Sequence, residues 1–283
     1  MFYDEISTDT KMVPMSLEES KKDMLKILKK FEVICKRLNL RYWLLYGTLI
    51  GAIRHKGFIP WDDDLDVGMP REDYNKLLNY FANNENSVDS LYIDNYRFDK
   101  TCFFYISRLC DKEHVLEFPL KNHKSGLFID IYPLDGMGND EDKNYWIQNW
   151  EHIHSIQKRL EMSCFKSFFT GKNNLHKLIN FPLNLYTKIR GRGYYLNLID
   201  LVSRKFDWNS STYVGIPAWA GSVRFERREW YDRSIKVPFE DMMITVPSDY
   251  DKILTTIYGD YMKLPPEKDR HPTHDYKAYK MED

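Results

Sequence analysis

Apolar residues recur at helical spacing near the start of the chain. Leu25, Leu28, Phe31, Ile34 and Leu38 follow Ser16-Leu17-Glu18-Glu19, a capping box in which Ser16 caps the helix and Glu19 reaches back. A helix is predicted from there to about Asn39. Residues 41–46 form a short aromatic and aliphatic run that ends at Gly47-Thr48, and Leu49, Ile50, Ala52 and Ile53 then resume helical spacing. Gly57 and Pro60 break the pattern; residues 61–69 alternate as a strand, and residues 71–81 carry Tyr74, Leu77, Leu78 and Phe81 on one helical face. Segments 101–109 and 114–118 flank a polar connection and read as a hairpin, and 126–132 reads as a strand closed by Pro133. Three helical patterns follow, at 143–169, 175–189 and 194–206, then a strand at 242–246, a helix after Pro247-Ser248 and a Pro-rich tail from Leu264. The fold class is therefore α/β (α+β), a mixed sheet with flanking helices and a helical addition. Residues 1–139 form the core, 140–210 the addition, which faces acceptor or membrane, and 211–283 complete the core and its site.

Composition fits a soluble globular chain, with 43% hydrophobic and 29% charged residues; 20 Tyr and 7 Trp are enough to line aromatic pockets. Residues 1–16 carry acids and no sustained apolar run, so neither a secretory signal nor an anchor is expected. The longest apolar stretch, 42–53, is far short of the ~20 residues a spanning helix needs. Cys35, Cys102, Cys110 and Cys164 include no CxxC pair, which points to reduced thiols in a cytoplasmic protein rather than a disulfide frame or zinc knuckle. Net charge is -1 but uneven: residues 158–205 hold ten Lys or Arg against Glu161 and Asp200. That segment either meets something anionic, a phosphorylated glycan or the inner face of a membrane, or is a solvated helical face. No nucleic-acid partner is expected.

The chemistry concentrates in Pro60-Trp61-Asp62-Asp63-Asp64-Leu65-Asp66. In an extended chain, side chains two apart lie on one face at ~6 to 7 Å, so Asp62, Asp64 and Asp66 point together and Asp63 and Leu65 point away. Like charges this close raise each other's pKa unless a cation offsets them. Mg²⁺, with Mn²⁺ as the alternative, is the natural partner of carboxylates that act with substrate phosphates. An EF-hand loop would need Gly after Asp66, where the chain has Val67. The DxD metal site of a nucleotide-sugar glycosyltransferase fits Asp64-Leu65-Asp66, and so does a metal-binding scaffold without catalysis. Upstream, Gly47 lets backbone approach a ligand and Thr48 adds a hydroxyl, a candidate phosphate cradle.

The unbroken run from Tyr46 to Asp66, YGTLIGAIRHKGFIPWDDDLD, resembles the signature of the LicD phosphocholine transferases, a family similar in this region to the fukutin-related phospho-sugar transferases. Tyr258-Gly259-Asp260-Tyr261-Met262-Lys263-Leu264-Pro265-Pro266 resembles that family's C-terminal signature. The resemblance implies a nucleotidyltransferase fold and a Mg²⁺-dependent transfer of a phospho-alcohol, phosphocholine as the best fit, from CDP-choline or another CDP-alcohol. The acceptor would be a hydroxyl of a cell-surface glycan, lipopolysaccharide or teichoic acid, or its lipid-linked precursor, with release of CMP. It also implies a third carboxylate on a later strand. Asp130, set among apolar neighbours, is the expected one and Asp135 the competitor.

Asp64, Asp66 and Asp130 are thus the expected metal ligands and catalytic groups, Asp130 either lowering the acceptor hydroxyl's pKa through the shared metal or serving as its base. Gly47, Thr48 and Arg54, with Lys56 nearby, are the expected substrate contacts. A quaternary ammonium head calls for aromatic faces, with Trp219, Trp230, Tyr231 or Tyr46 available. His271 and His274 suit substrate or phosphate contact better than zinc.

Overall fold

The computed structural model describes residues 10–118, 123–164, 173–217, 223–274 and 276–282. Strand β1 (Lys11–Pro14) leads into helix α1 (Leu17–Leu38) through the complete capping box: the Ser16 hydroxyl accepts from the Glu19 N–H at 3.3 Å, and the Glu19 carboxylate accepts from the Ser16 N–H at 2.8 Å. Asn39 closes α1 in the left-handed conformation. Strand β2 (Trp43–Leu44) is followed by the short α2 (Tyr46–Ile50), which widens into a π-helical turn at Gly51–His55. Strand β3 (Asp66–Pro70) and helix α3 (Arg71–Ala82) come next, then β4 (Leu91–Asp94), β5 (Ser107–Asp111), β6 (His114–Glu117), β7 (Lys124–Ser125) and the long β8 (Phe128–Gly138). Helices α4 (Lys143–Cys164), α5 (Asn174–Arg190) and α6 (Arg192–Ser203) follow within the segment expected to be a helical addition. The chain ends with β9 (Tyr213–Gly215), β10 (Glu226–Arg227), the hairpin β11 (Ser234–Phe239) and β12 (Met242–Pro247), α7 (Tyr250–Tyr258) and β13 (Lys277–Glu282).

The central sheet runs β10-β9-β8-β3-β2, and β5 and β4 extend it from β8. Among the described residues of this sheet only β3 and β8 pair in parallel, so the sheet is mixed. A second, antiparallel sheet, β1-β13-β6-β7, joins the two ends of the chain. Leu28, Phe31 and Ile34 of α1 and Leu77, Leu78 and Phe81 of α3 are buried in one core with Val67, Ile129 and Ile131 of the sheet. Each such side chain contributes about 1.5–3 kcal/mol of transfer free energy. Trp146, Ile153 and Ile156 of α4 and Leu196 and Ile199 of α6 make a separate core with Met137 of β8.

Three predicted elements differ. The strand at 61–69 forms only from Asp66, because the backbone before it is held by other partners: the Asp62 N–H donates to the Ile59 carbonyl at 3.0 Å in a turn, and the Asp63 carbonyl accepts from the Tyr276 hydroxyl at 2.7 Å. The predicted hairpin does not form: β5 pairs with β4 and β8, whereas β6 pairs with β13 and β7 in the other sheet. The strand ending at Pro133 continues to Gly138. Pro133 is tolerated because β5 pairs only as far as Ile131 and β9 only from Asp135, so no ladder bond is lost on that edge.

Candidate active site

Sheet register assembles the acidic cluster. Asp66, the first residue of β3, is the parallel partner of Asp130 on β8, and Asp130 is in turn the antiparallel partner of Arg108 on β5. Asp64, just before the strand, completes the group: Asp64, Asp66 and Asp130 each offer an oxygen within 4.8 Å of the others. The Arg108 guanidinium, clamped 3.6 and 3.7 Å from the Phe104 and Phe128 ring centres, donates from Nε to Asp130 Oδ1 at 2.8 Å. Asp66 Oδ1 is buried and has no hydrogen-bond partner among the described residues. A buried oxygen left in this state is costly unless a ligand completes it.

Electrostatics agree. Burial, reinforced by Asp62 and Asp130, raises the Asp64 carboxyl to about 8, with His274 opposing. Burial and the charges of Asp64 and Asp130 hold Asp66 well above the usual carboxylate range. Asp130 is raised less, since Arg108 counteracts its burial. A hard divalent cation bound by oxygens would remove the conflict, so the donor set fits Mg²⁺ or Mn²⁺. A different grouping, Asp94, Cys102 and His123, has its own internal bond: His123 Nε2 lies 2.7 Å from Asp94 Oδ2.

The predicted alternation holds even though residues 62–65 are not a strand. Asp62, Asp64 and Asp66 line a cavity of about 440 Å³. Asp63 turns away and is gripped by the tail: the Thr273 and His274 N–H groups donate to its carboxylate at 3.4 and 3.1 Å, and His274 Nδ1 lies 2.9 Å from Oδ1. Burial works against an ionised Asp63, but these bonds prevail and lower its pKa. His274 Nε2 then sits 3.6 Å from Asp64 Oδ2 and lines the cavity. The two histidines of the tail thus part ways, for His271 is exposed beside the Pro272 carbonyl.

The other expected residues divide. Gly47 lines the cavity, and a Cβ there would lie 2.6 Å from Asp62 Oδ2. Thr48 is buried, and its hydroxyl accepts from the Asp66 N–H at 2.8 Å, so it holds β3 in place rather than lining the cavity. Arg54 donates to the Tyr261 and Lys263 carbonyls at 2.6 and 3.3 Å, fastening the C-terminal signature; Lys56 is exposed. Asp135 is committed to Arg71, which donates to both of its oxygens at 2.6 Å.

Of the aromatic candidates, Tyr46 lines the cavity at a left-handed φ of 47°, a costly conformation for a tyrosine, with its ring edge-on to Tyr132 at 5.3 Å. Tyr231 is a core residue that donates to Glu226, Trp230 packs at the margin of the same core, and Trp219 lies outside the described residues. The remaining wall was not foreseen: Trp146 and Trp150 from α4, Tyr258 from α7, and Arg224 and Glu226 beside β9. Trp146 and Trp150 stand four apart on one helical face, a spacing that equally describes a core. Nothing in the sequence around Arg224 or Glu226 marks them.

The family description LicD/FKTN/FKRP, nucleotidyltransferase domain, matches residues 39–166, a span that contains the whole acidic cluster. The chain is 32% identical to the lipopolysaccharide cholinephosphotransferase LicD of Haemophilus influenzae over 287 aligned positions, covering 95% of this chain and 99% of that protein. It is 25% identical over 150 residues to the ribitol 5-phosphate transferase FKRP of Homo sapiens, covering 52% of this chain and 28% of that protein. A match that spans nearly the whole of both chains shows that this protein belongs to the LicD family.

Proposed function

We propose that the protein transfers phosphocholine from CDP-choline to a hydroxyl of a lipopolysaccharide or related glycan, or its lipid-linked precursor, releasing CMP. The observation that carries this reading is the convergence of Asp64, Asp66 and Asp130, whose oxygens lie within 4.8 Å of one another beside the cavity that Asp64 and Asp66 line, with a buried Asp66 oxygen still to be satisfied. Their match to the family of a cholinephosphotransferase and a ribitol 5-phosphate transferase supports phospho-alcohol transfer. The aromatic lining, Tyr46, Trp146, Trp150 and Tyr258, with the Glu226 carboxylate, favours a quaternary ammonium over a neutral polyol.

Asp64, Asp66 and Asp130 would hold Mg²⁺ or Mn²⁺, which supplies charge neutralisation on the donor's phosphates. Arg108 keeps Asp130 oriented by donating to its Oδ1, and the carboxylate would still contribute to holding the ion. Arg224, half-buried in the cavity wall, and His274 bind phosphate oxygens. Asp130 is too deeply paired to serve as base. Asp62 is better suited: it lines the cavity, and burial, with the charge of Asp63, raises its pKa toward that of a working base. The acceptor oxygen forms its bond to the phosphorus that bears choline, its proton goes to Asp62, and the bond to CMP breaks.

The four cysteines are all buried and none forms a disulfide, which supports a reducing, cytoplasmic setting. The reading is tested by a screen of CDP-alcohols with Mg²⁺, read as released CMP. CDP-choline should be turned over in preference to CDP-ribitol or CDP-glycerol; release from nucleotide sugars alone would refute it.

A further inference from the structure

Helix α5 is built inside out. Its buried positions are polar, Asn184 and Thr187, while its large apolar residues face outward: Leu175, Leu178, Ile179 and Ile189 are 65, 68, 63 and 75% exposed. Leu175, Leu178, Ile179, Pro182, Leu185, Tyr186 and Ile189 follow steps of three and four and form one continuous stripe. Leu201 of α6, 71% exposed, and the exposed Tyr194 add to the apolar surface of this region. An outward stripe of this size is unfavourable in water and marks a surface that something covers.

Charge identifies the occupant. Residues 173–205 contain six Lys or Arg, at 177, 188, 190, 192, 204 and 205, and a single acid, Asp200. That acid is already neutralised by Arg71, Arg97 and Arg204. Arg190 lies over the rings of Tyr186 and Tyr194 at 5.5 and 5.1 Å, an amphipathic rim beside the apolar stripe. A second copy docked by the same face would set cations against cations. A bilayer with anionic head groups satisfies both features, taking the stripe among its acyl chains and the cations at its surface. No helix among the described residues is long and apolar enough to cross a membrane.

We propose that α5 docks the protein on the surface of an anionic membrane, lying in the plane of the interface. Helix α4, which packs against both α5 and α6, carries Trp146 and Trp150 into the cavity wall, so docking would hold that cavity close to the lipid surface. A lipid-linked acceptor would then be reached without leaving the bilayer.

Flotation of the full chain with phosphatidylcholine vesicles, with or without phosphatidylglycerol, tests this without donor or acceptor, so the result is independent of the catalytic reading. The wild type should float with the anionic vesicles and less so as salt rises. Leu178→Ser/Ile189→Ser, which removes apolar area without changing charge, should weaken vesicle binding about tenfold or more while its melting temperature is maintained. The proposal fails if the wild type floats with neither vesicle or if the folded variant floats equally well. It also fails if light scattering finds a wild-type dimer that the variant splits, which would assign the face to a second copy.

Discussion

Asp66 and Asp130 are register partners on the parallel strands β3 and β8, so two carboxylates well separated along the chain share one rung of the sheet. Arg108 occupies the same rung on β5. Two acids and one buried base leave the rung one positive charge short of neutrality, before Asp64 adds another acid.

Neutralising Asp66 should therefore separate stability from activity. Asp66→Asn removes a buried carboxylate whose ionised form is opposed by burial and by Asp64 and Asp130. Without metal it should melt no lower than the wild type, while CMP release falls roughly 100-fold or more. Thermal melts and a donor-turnover assay on the same preparation check both halves.

Removing Arg108 should do the reverse to stability. Arg108→Met leaves Asp130 buried without its cation, at a cost of about 3 kcal/mol. Arg108→Met/Asp130→Asn should regain much of that loss and remain inactive. Denaturant melts of both single variants and the double variant measure the coupling.

Thr48→Val should cost about 1–2 kcal/mol, because the buried Asp66 N–H loses its acceptor, and should reduce turnover by displacing the start of β3. Thr48→Ser retains the hydroxyl and should behave nearly as the wild type. Equal turnover in the Val and Ser variants would remove Thr48 from the account.

Glu226 gives the account a pH signature. Burial raises its carboxyl to about 7, with Tyr231 and Arg224 opposing. It is neutral below that pH and anionic above, so KM for CDP-choline should fall as pH rises through about 7, and Glu226→Gln should flatten the profile. The stability sign is opposite: the folded pKa exceeds the unfolded value, so the native state binds more protons between about 4 and 7. Glu226 thus lowers stability as pH climbs through that window, and the Gln variant should lose that part of the slope. A KM profile unchanged in Glu226→Gln would separate this residue from the choline head.

How much of this was legible in the sequence follows from the range of the forces involved. The capping box of α1 and the alternation of Asp62, Asp64 and Asp66 are local, and both hold. A third carboxylate was implied by the family resemblance, the apolar neighbours singled out Asp130 for it, and sheet register brings it to Asp66. Thr48 and Arg54 sit in the recognised motif yet serve neighbouring backbone, a role that only the packed tail and β3 disclose. Arg224, Glu226 and Trp150 reach the cavity through β9, β10 and α4, long-range placements without a local pattern. The basic segment was readable as charge, but the outward turn of its apolar stripe depends on which face α4 and α6 cover.

The central claim is that this rung of carboxylates binds a divalent ion in company with a nucleotide diphosphate. Calorimetric titration of Mg²⁺ and Mn²⁺ into the protein with CDP present measures it directly. The account predicts saturable uptake by the wild type and none by Asp66→Asn; no uptake by the wild type, or equal uptake by both, would contradict it.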